Sequence, residues 1–259
     1  VTLTPFSRIV ITGASSGIGE ALARHYAAAD TVIGLVARRR ETLQALASSL
    51  PGRFEIYALD VADHAAIERA AREFCSRHGA PDLVIANAGI SVGTHGDDAA
   101  DVEKLRRLLE VNVVGLAATL AAFAPAMRAE RRGVLCGIAS VAGFRGLPGA
   151  GAYSASKSAV IKWLEALRVE LAGSGVAVVT LCLGYVDTPM TRVNRYRMPF
   201  LLSADEAARR IARAIAARRR LAVIPWQMVI VSVLLRLAPP WLYDRFAARA
   251  PRKPRDLPL

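Results

Sequence analysis

Cysteine is scarce in this chain. Cys75, Cys136 and Cys182 are far apart and odd in number, with no Cys-x-x-Cys pair or histidine-rich cluster beside them. That pattern excludes a disulfide framework and a zinc site, so no metal is expected and a reducing cytoplasmic setting fits. Cys136 and Cys182 sit inside apolar runs and are expected to be buried thiols. Linkers are lacking too: no long Ser-, Pro-, Gly-rich or acidic stretch and no internal repeat divides the 259 residues. A single domain is expected, with a catalytic part over 1–225 and a C-terminal helical extension over 226–259. A strand pattern starts within about eight residues of the first, which leaves no room for a signal peptide. Lysine is rare as well, four residues against thirty arginines, so the formal charge of +12 is almost wholly arginine. Such a charge can steer nucleic acid, anionic lipid or a phosphorylated ligand. An Ala- and Arg-rich composition is the simpler account. No basic motif with interleaved aromatics appears, and no nucleic-acid partner is expected.

What is present is a regular alternation. Short β-branched runs at Arg8–Thr12, Thr31–Ala37, Arg53–Ala58, Asp82–Asn87, Gly133–Ala139, Val176–Cys182 and Leu221–Ile224 read as strands. Helical patterns lie between them at about Gly17–Ala29, Arg40–Leu50, Asp63–His78, Asp101–Arg131, Ala152–Ala172 and Ala204–Arg219. Runs such as Leu83-Val84-Ile85-Ala86 are continuously apolar, as strands are when helices cover both faces of the sheet. The order predicts an α/β fold, a single Rossmann-like, doubly wound parallel β-sheet flanked by helices. Ligands of such sheets bind at the carboxyl ends of the strands.

The first strand runs into Thr12-Gly13-Ala14-Ser15-Ser16-Gly17-Ile18-Gly19 and then a helix. Glycines at a strand-to-helix turn let backbone approach a pyrophosphate, and the helix N-terminus presents free N–H groups to it. The second strand ends in Ala37-Arg38-Arg39-Arg40 with no acid where a ribose 2′-hydroxyl would be gripped. Arginine there suits a 2′-phosphate, so NADP(H) is expected and NAD(H) is the lesser alternative. A solvated basic start to the next helix is the plainer reading of the same run. Arg218-Arg219-Arg220 ends a helix, where cations offset the dipole, and needs no ligand. Asp60, before Val61, can accept a hydrogen bond from an adenine amine, whereas Asp63 reads as a helix cap. Asn87-Ala88-Gly89 closes the fourth strand with residues small enough to pass a cofactor, though alone it is an ordinary turn.

Ser140 ends the fifth strand, and Tyr153 and Lys157 follow on a helix. Positions i and i+4 share a face, which sets the phenol beside the ammonium. A phenol titrates near pH ~10 when unperturbed, and a nearby cation is expected to lower it into the range of a general acid/base. Ser140 can donate to a substrate carbonyl oxygen as charge develops there. Tyr-x-x-x-Lys alone would be a surface pair; with Ser140 and the glycine turn upstream, coincidence becomes the poorer account.

Taken in order and spacing, the Thr-Gly-x-x-x-Gly-x-Gly turn, Asn-Ala-Gly, Ser140 and Tyr-x-x-x-Lys resemble the short-chain dehydrogenase/reductase family over roughly residues 6–224. The resemblance implies a fourth catalytic residue, Asn112, holding a water that relays protons through Lys157 and the ribose. Without it, Asn112 passes as an exposed polar residue. It implies that Tyr153 protonates the carbonyl oxygen while Lys157 binds the ribose hydroxyls and tunes the phenol. It also implies cofactor contacts from Gly13, Ser15, Ser16, Gly17, Ile18, Gly19, Arg38, Arg39, Asp60, Val61, Asn87, Ala88, Gly89, Tyr153, Lys157, Val186 and Thr188. The family's Pro-Gly after the sixth strand is Leu183-Gly184 here, a departure that touches local loop geometry. The segment from Pro189 to Phe200 corresponds to the family's substrate lid. Met190, Tyr196, Met198 and Phe200 would line it, with three arginines able to meet an acidic group.

The tail departs most from a compact member. Leu221–Leu235 is nearly all apolar, but Pro225 interrupts it and Arg236 closes it, short of the ~20 residues that cross a bilayer as a helix. A strand followed by an apolar helix from about Trp226 is expected. Core packing, a subunit interface and a membrane surface are all open readings of that helix. Trp226, Trp241, Arg245, Arg249, Arg252, Lys253 and Arg255 would suit peripheral contact with the inner membrane face. The leading expectation is an NADP(H)-dependent oxidoreductase interconverting a carbonyl and an alcohol, in the direction of an apolar or lipid-like ketone or aldehyde substrate. The same apparatus can serve epimerisation. A catalytically silent NADP(H)-binding sensor or interaction protein is the alternative from another class. Family habit implies a homodimer or homotetramer.

Overall fold

The computed structural model describes residues 6–256; positions 1–5 and 257–259 of the expected domain bounds lie outside the described residues. Its strands are β1 (Arg8–Thr12), β2 (Val32–Ala37), β3 (Arg53–Ala58), β4 (Leu83–Ala86), β5 (Val134–Ser140), β6 (Ala177–Leu183) and β7 (Leu221–Ile224). They form one sheet in the order β3-β2-β1-β4-β5-β6-β7, every neighbouring pair parallel. This is the Rossmann-like, doubly wound α/β fold. The strand order reverses between β1 and β4, which is where a crevice opens at the carboxyl ends.

The helices are α1 (Gly17–Tyr26), α2 (Arg40–Ser48), α3 (His64–His78), α4 (Asp101–Leu109), α5 (Gly115–Ala129), α6 (Gly151–Glu170), α7 (Pro189–Arg192), α8 (Ala204–Ala216), α9 (Gln227–Leu237) and α10 (Pro240–Ala247). Successive strand residues point to opposite faces, and both faces are covered. Ile9 and Ile11 pack with Leu22 of α1 and Ile211 and Ile215 of α8. Val10, between them, packs on the other side with Phe74 of α3 and Leu120 and Phe123 of α5. All four residues of β4 and all seven of β5 are buried, which is why those runs do not alternate. Each fully buried aliphatic side chain contributes about 1.5–3 kcal/mol, so the middle of the sheet is the stiffest part of the scaffold. Cys136 and Cys182 are buried in it.

Four differences from the sequence reading matter. The long helix expected over 101–131 is continuous but contains a π turn, Glu110–Val114, between α4 and α5. It stops at Ala129 because Arg131 takes a left-handed conformation (φ 52°). Likewise α8 ends at Ala216 and Arg218 (φ 48°) closes the turn, so the arginine run follows the helix instead of forming its last turn. The tail carries two helices, α9 and α10, where one was expected. The lid begins with a helical turn, α7, that no apolar periodicity announces; Thr188 and Thr191 cap it reciprocally.

Candidate active site

The carboxyl ends of β1 to β6 surround a cleft of about 390 Å³. Its floor is the turn after β1. Gly13 adopts φ 69°, a left-handed conformation that costs a residue with a Cβ but not glycine. A Cβ on Gly19 would stand 2.2 Å from the Gly13 carbonyl oxygen, so only glycine lets α1 start this close beneath the turn. Asn87 and Ala88 fix the neighbouring turn: both backbone N–H groups donate to Thr12 Oγ1 at 3.0 Å, and Asn87 Nδ2 donates to the Thr12 carbonyl at 2.9 Å. Ser16, Gly17 and Ile18 line the cleft at the N-terminus of α1.

One end of the cleft is basic. Arg38 and Arg39 follow β2, and Arg39 Nη2 donates to Ser15 Oγ at 3.1 Å across the glycine turn. Asp60 is already engaged. Its Oδ1 accepts from the Ala62 N–H at 3.0 Å and its Oδ2 from Arg107 Nη2 at 2.6 Å. Burial opposes its ionisation, but those two donors outweigh it and hold the carboxyl below the ordinary range. Arg107 belongs to the cleft and was not anticipated, since an arginine on an amphipathic helix gives no sequence signal. Asp63 caps α3 by accepting from the Ala66 N–H at 2.9 Å.

The other end holds the chemistry-bearing side chains. Ser140 terminates β5, its Oγ accepting from the Ala142 N–H at 3.2 Å and donating to the Leu183 carbonyl at 3.2 Å. That last distance is long for an O–H donor, whose bonds usually span about 2.5–3.0 Å, so the hydroxyl is weakly held. β6 extends through Leu183 in ladder with Ser140 and Ile224, so the leucine that stands in for proline continues the strand. Tyr153 and Lys157 lie on α6, with Lys157 Nζ 5.8 Å from the phenol ring centre. The lysine donates to the Ile138 carbonyl at 2.9 Å.

Titration departs from the expectation. Burial pushes the Tyr153 phenol up, and the hydrogen bond with Ser140 offsets only part of that. The ammonium does not bring it down; instead burial lowers Lys157 itself to about 8. Desolvation at the cleft wall disfavours the charged form of each group, which moves the phenol up and the ammonium down.

Asn112 is fully buried on the π turn, contrary to its bare-sequence reading as exposed. Its Oδ1 accepts from the Ile90 N–H at 2.8 Å, and its Nδ2 donates to the Ile90 carbonyl at 3.0 Å and to Ser156 Oγ at 3.0 Å. The side chain thus clamps the segment after β4 to α6, and it stands behind the cleft wall. Of the expected site residues, Asn112 and Gly19 lie behind the lining; Gly13, Ser15, Ser16, Gly17, Ile18, Arg38, Arg39, Asp60, Val61, Asn87, Ala88, Gly89, Ser140, Tyr153, Lys157, Val186 and Thr188 all line it.

The lid closes one side. Met190 lines the cleft, and Tyr196 packs edge-on to Tyr185 with ring centres 6.4 Å apart. Tyr196, Met198 and Phe200 are not among the residues that line the cleft, contrary to expectation: Tyr196 packs on Tyr185, Met198 accepts from Asn194, and Phe200 is exposed. Arg192 pairs with Asp187 at 2.7 Å, which removes it from the three lid arginines free to meet an acid.

A sequence model described as short chain dehydrogenase matches residues 7–198. An uncharacterized oxidoreductase of Myxococcus xanthus is 37% identical over 243 residues, 93% of this chain and 96% of that protein. Dehydrogenase/reductase SDR family member 7B of Mus musculus is 30% identical, over 95% of this chain and 82% of its own. Among solved structures, a short-chain dehydrogenase from Streptomyces avermitilis superposes with a TM-score of 0.79 at 28% identity, covering 88% of this chain and 92% of that one. An alcohol dehydrogenase from Thermococcus sibiricus complexed with 5-hydroxy-NADP gives 0.74 at 26%, covering 84% and 95%. A 3-oxoacyl-[acyl-carrier protein] reductase from Brucella melitensis with bound NAD gives 0.73 at 27%, covering 84% and 89%.

Proposed function

The chain belongs to the short-chain dehydrogenase/reductase family and is an oxidoreductase, and from that premise we propose that it reduces an apolar, lipid-like ketone or aldehyde with NADPH, and oxidises the alcohol in reverse. The observation that carries the reading is one cleft with a glycine floor at one end and Ser140, Tyr153 and Lys157 at the other. The residues fit the dinucleotide. Gly13 and Gly19 let the turn, the start of α1 and the segment after β4 approach more closely than a Cβ would allow, the start of α1 faces the cleft, and no carboxylate from the end of β2 lines it. When bound, the cofactor supplies the hydride. The protein's share is protons and position. Tyr153 gives its hydroxyl proton to the carbonyl oxygen, Ser140 donates to the same oxygen, and Lys157 supports the phenol and takes the ribose hydroxyls. Asn112 acts by holding Ile90 against the substrate side. The test is NADPH oxidation, beside NADH, across carbonyls from small aldehydes to long-chain 3-keto compounds. No turnover with any of them, despite tight NADPH binding, would sink the reading.

NADP preference rests on Arg38 and Arg39. Hydrogen bonds to charged groups are worth about 1.5–3 kcal/mol, or roughly tenfold to a hundredfold in affinity. Replacing both by Ala is therefore expected to raise the NADPH dissociation constant by that factor and leave NADH within about twofold. An equal loss for both cofactors in a fluorescence titration would overturn the assignment.

The tail supports the membrane reading of the extension. α9 buries Met228 and Ser232, while Trp226, Val229, Ile230, Val233, Leu234 and Leu237 form an outward stripe at helical spacing, Leu237 being 77% exposed. Trp241 and Phe246 of α10 continue it, each 70% exposed, with Arg245 and Arg249 beside them. Arg145 donates to the Leu235 and Ala238 carbonyls, and Tyr243 bonds to the Gly146 carbonyl, so both helices are fastened to the catalytic part. A fixed apolar face with basic flanks suits an anionic lipid surface. Val233→Asp with Leu237→Asp removes two exposed aliphatics that a lipid surface would bury, up to about 1.5–3 kcal/mol each. Binding to phosphatidylglycerol vesicles in a sedimentation assay is expected to fall more than about tenfold. Undiminished binding would show that lipid is held elsewhere.

A further inference from the structure

The last described residues do not trail into solvent. After α10 the chain turns back and lies over the substrate side as a strap, Arg252–Arg255. The Gly93 N–H donates to the Pro254 carbonyl at 2.9 Å, and a Cβ on Gly93 would stand 2.2 Å from the Lys253 carbonyl oxygen, so the strap fits only against glycine. Arg255 pairs with Asp98 and Asp101, and Lys104 Nζ donates to the Arg255 carbonyl at 3.2 Å. This corrects the sequence expectation for Lys253 and Arg255, which face the protein and not a lipid surface.

The strap delivers a cation to the rim of the cleft. Lys253 Nζ donates to Ser91 Oγ at 2.8 Å and to the Met190 carbonyl at 3.4 Å. Ser91 follows the cleft residue Ile90, and Met190 is the lid residue that lines the same cleft. Lys253 is only 9% exposed, and among the described residues no carboxylate lies within ion-pair distance of it. The nearby acids, Asp98 and Asp101, are already matched by Arg255 and Lys104. Lys104 and Lys162 both have carboxylate partners; the two lysines without one are Lys157, in the catalytic centre, and Lys253. Burying an ammonium without a counter-ion is costly. An ammonium has three donors, and two are used here.

We propose that Lys253 is a specificity-determining residue that receives a carboxylate carried by the carbonyl substrate at a distance from the reacting carbon. The inference rests on the carbonyl-reductase reading and deepens it: the substrate is an acidic amphiphile, an apolar chain with an anionic end. The charge serves this purpose at neutral pH, since burial brings Lys253 down only to about 8. A compact ammonium on a flexible stem also suits a ligand group whose position varies with chain length better than a planar guanidinium does.

The experiment compares oxo acids of six to twelve carbons with their methyl esters in NADPH-linked turnover, and octanoate with octanol in calorimetric binding to the NADPH-loaded protein. The full chain is used, as wild type, Lys253→Met and Lys253→Gln. The wild type is expected to favour the acid over the ester by about tenfold or more in kcat/KM. Either variant should lose that preference while ester turnover and NADPH affinity hold. Equal use of acid and ester by the wild type overturns the inference without any variant. A parallel fall for acid and ester overturns it too, because it would mark Lys253 as a tie between lid and wall. Binding of octanoate that depends on Lys253, without turnover of any carbonyl, would uphold the anion site and sink the reductase reading. Turnover of esters and acids alike would do the reverse.

Discussion

Tyr153→Phe is expected to lower kcat for carbonyl reduction by about 10²–10⁴-fold and to leave the NADPH dissociation constant within about twofold. The ring is kept, so packing on α6 is kept, and only the proton and the hydrogen bond to Ser140 are lost. The pH dependence follows from the directions of the two shifts. Burial raises the phenol, so it stays protonated throughout the neutral range and is ready to act as the acid in reduction. Lys157 is the group that changes charge first, at about 8, because burial lowers it. It is cationic below that pH and neutral above, so kcat/KM for reduction should be level near neutrality and decline as pH rises through about 8. Kinetics and cofactor titrations on wild type and variant check both halves. A variant that reduces carbonyls within tenfold of wild type would remove Tyr153 from the role of proton donor.

Gly19→Ala is expected to abolish measurable NADPH binding and to lower stability. The added methyl would lie 2.2 Å from the Gly13 carbonyl oxygen and 2.8 Å from Asn87 Nδ2, and the first of these neighbours is backbone. Backbone cannot yield as a flexible side-chain end can. Relief requires α1 to move away from the turn, or the turn to move into the cleft. Overpacking of this kind costs about 1–3 kcal/mol, and the displaced N–H groups no longer converge on one point. Gly146→Ala is the control, since nothing stands within 4 Å of its added methyl. Thermal unfolding and NADPH fluorescence on the two variants decide it. If Gly19→Ala binds NADPH normally, the close approach of α1 to the turn is not what shapes the cradle.

Much of this was readable from residue order, and the reasons are physical. β1, β3 and β7 begin and end where the sequence places them; Pro51-Gly52 turns the chain into β3, and Pro225 stops β7. The glycine turn and the Tyr153–Lys157 pair are local in sequence, so spacing alone places them on one turn and one helical face. What spacing misses is whatever depends on distant chain. Asn112 looked exposed because its partner, the Ile90 backbone, is 22 residues away. Arg107 reaches Asp60 across 47 residues. Lys253 meets Ser91 across 162 residues, so by local sequence it reads only as part of a basic tail. The lowered phenol failed for another reason. The i,i+4 rule gives proximity but says nothing of burial, and here burial raises the phenol with only the Ser140 hydrogen bond opposing it.

The π turn at Glu110–Val114 has a bearing on insertions and deletions. It holds one residue more per turn than the α-helical segments on either side, so it acts as a single-residue insertion absorbed without breaking the helix. Loss of one residue inside it would let the helix close up as α. Because the extra residue is taken up within that one turn, α4 and α5 would keep the faces they now cover, with Leu116, Leu120 and Phe123 still packed on the sheet. What would change is the bulge itself, which carries Asn112, so the amide would lose its aim at Ile90 and Ser156. The helix therefore separates two tasks: packing seats the turns on either side, and one supernumerary residue aims a single amide inward.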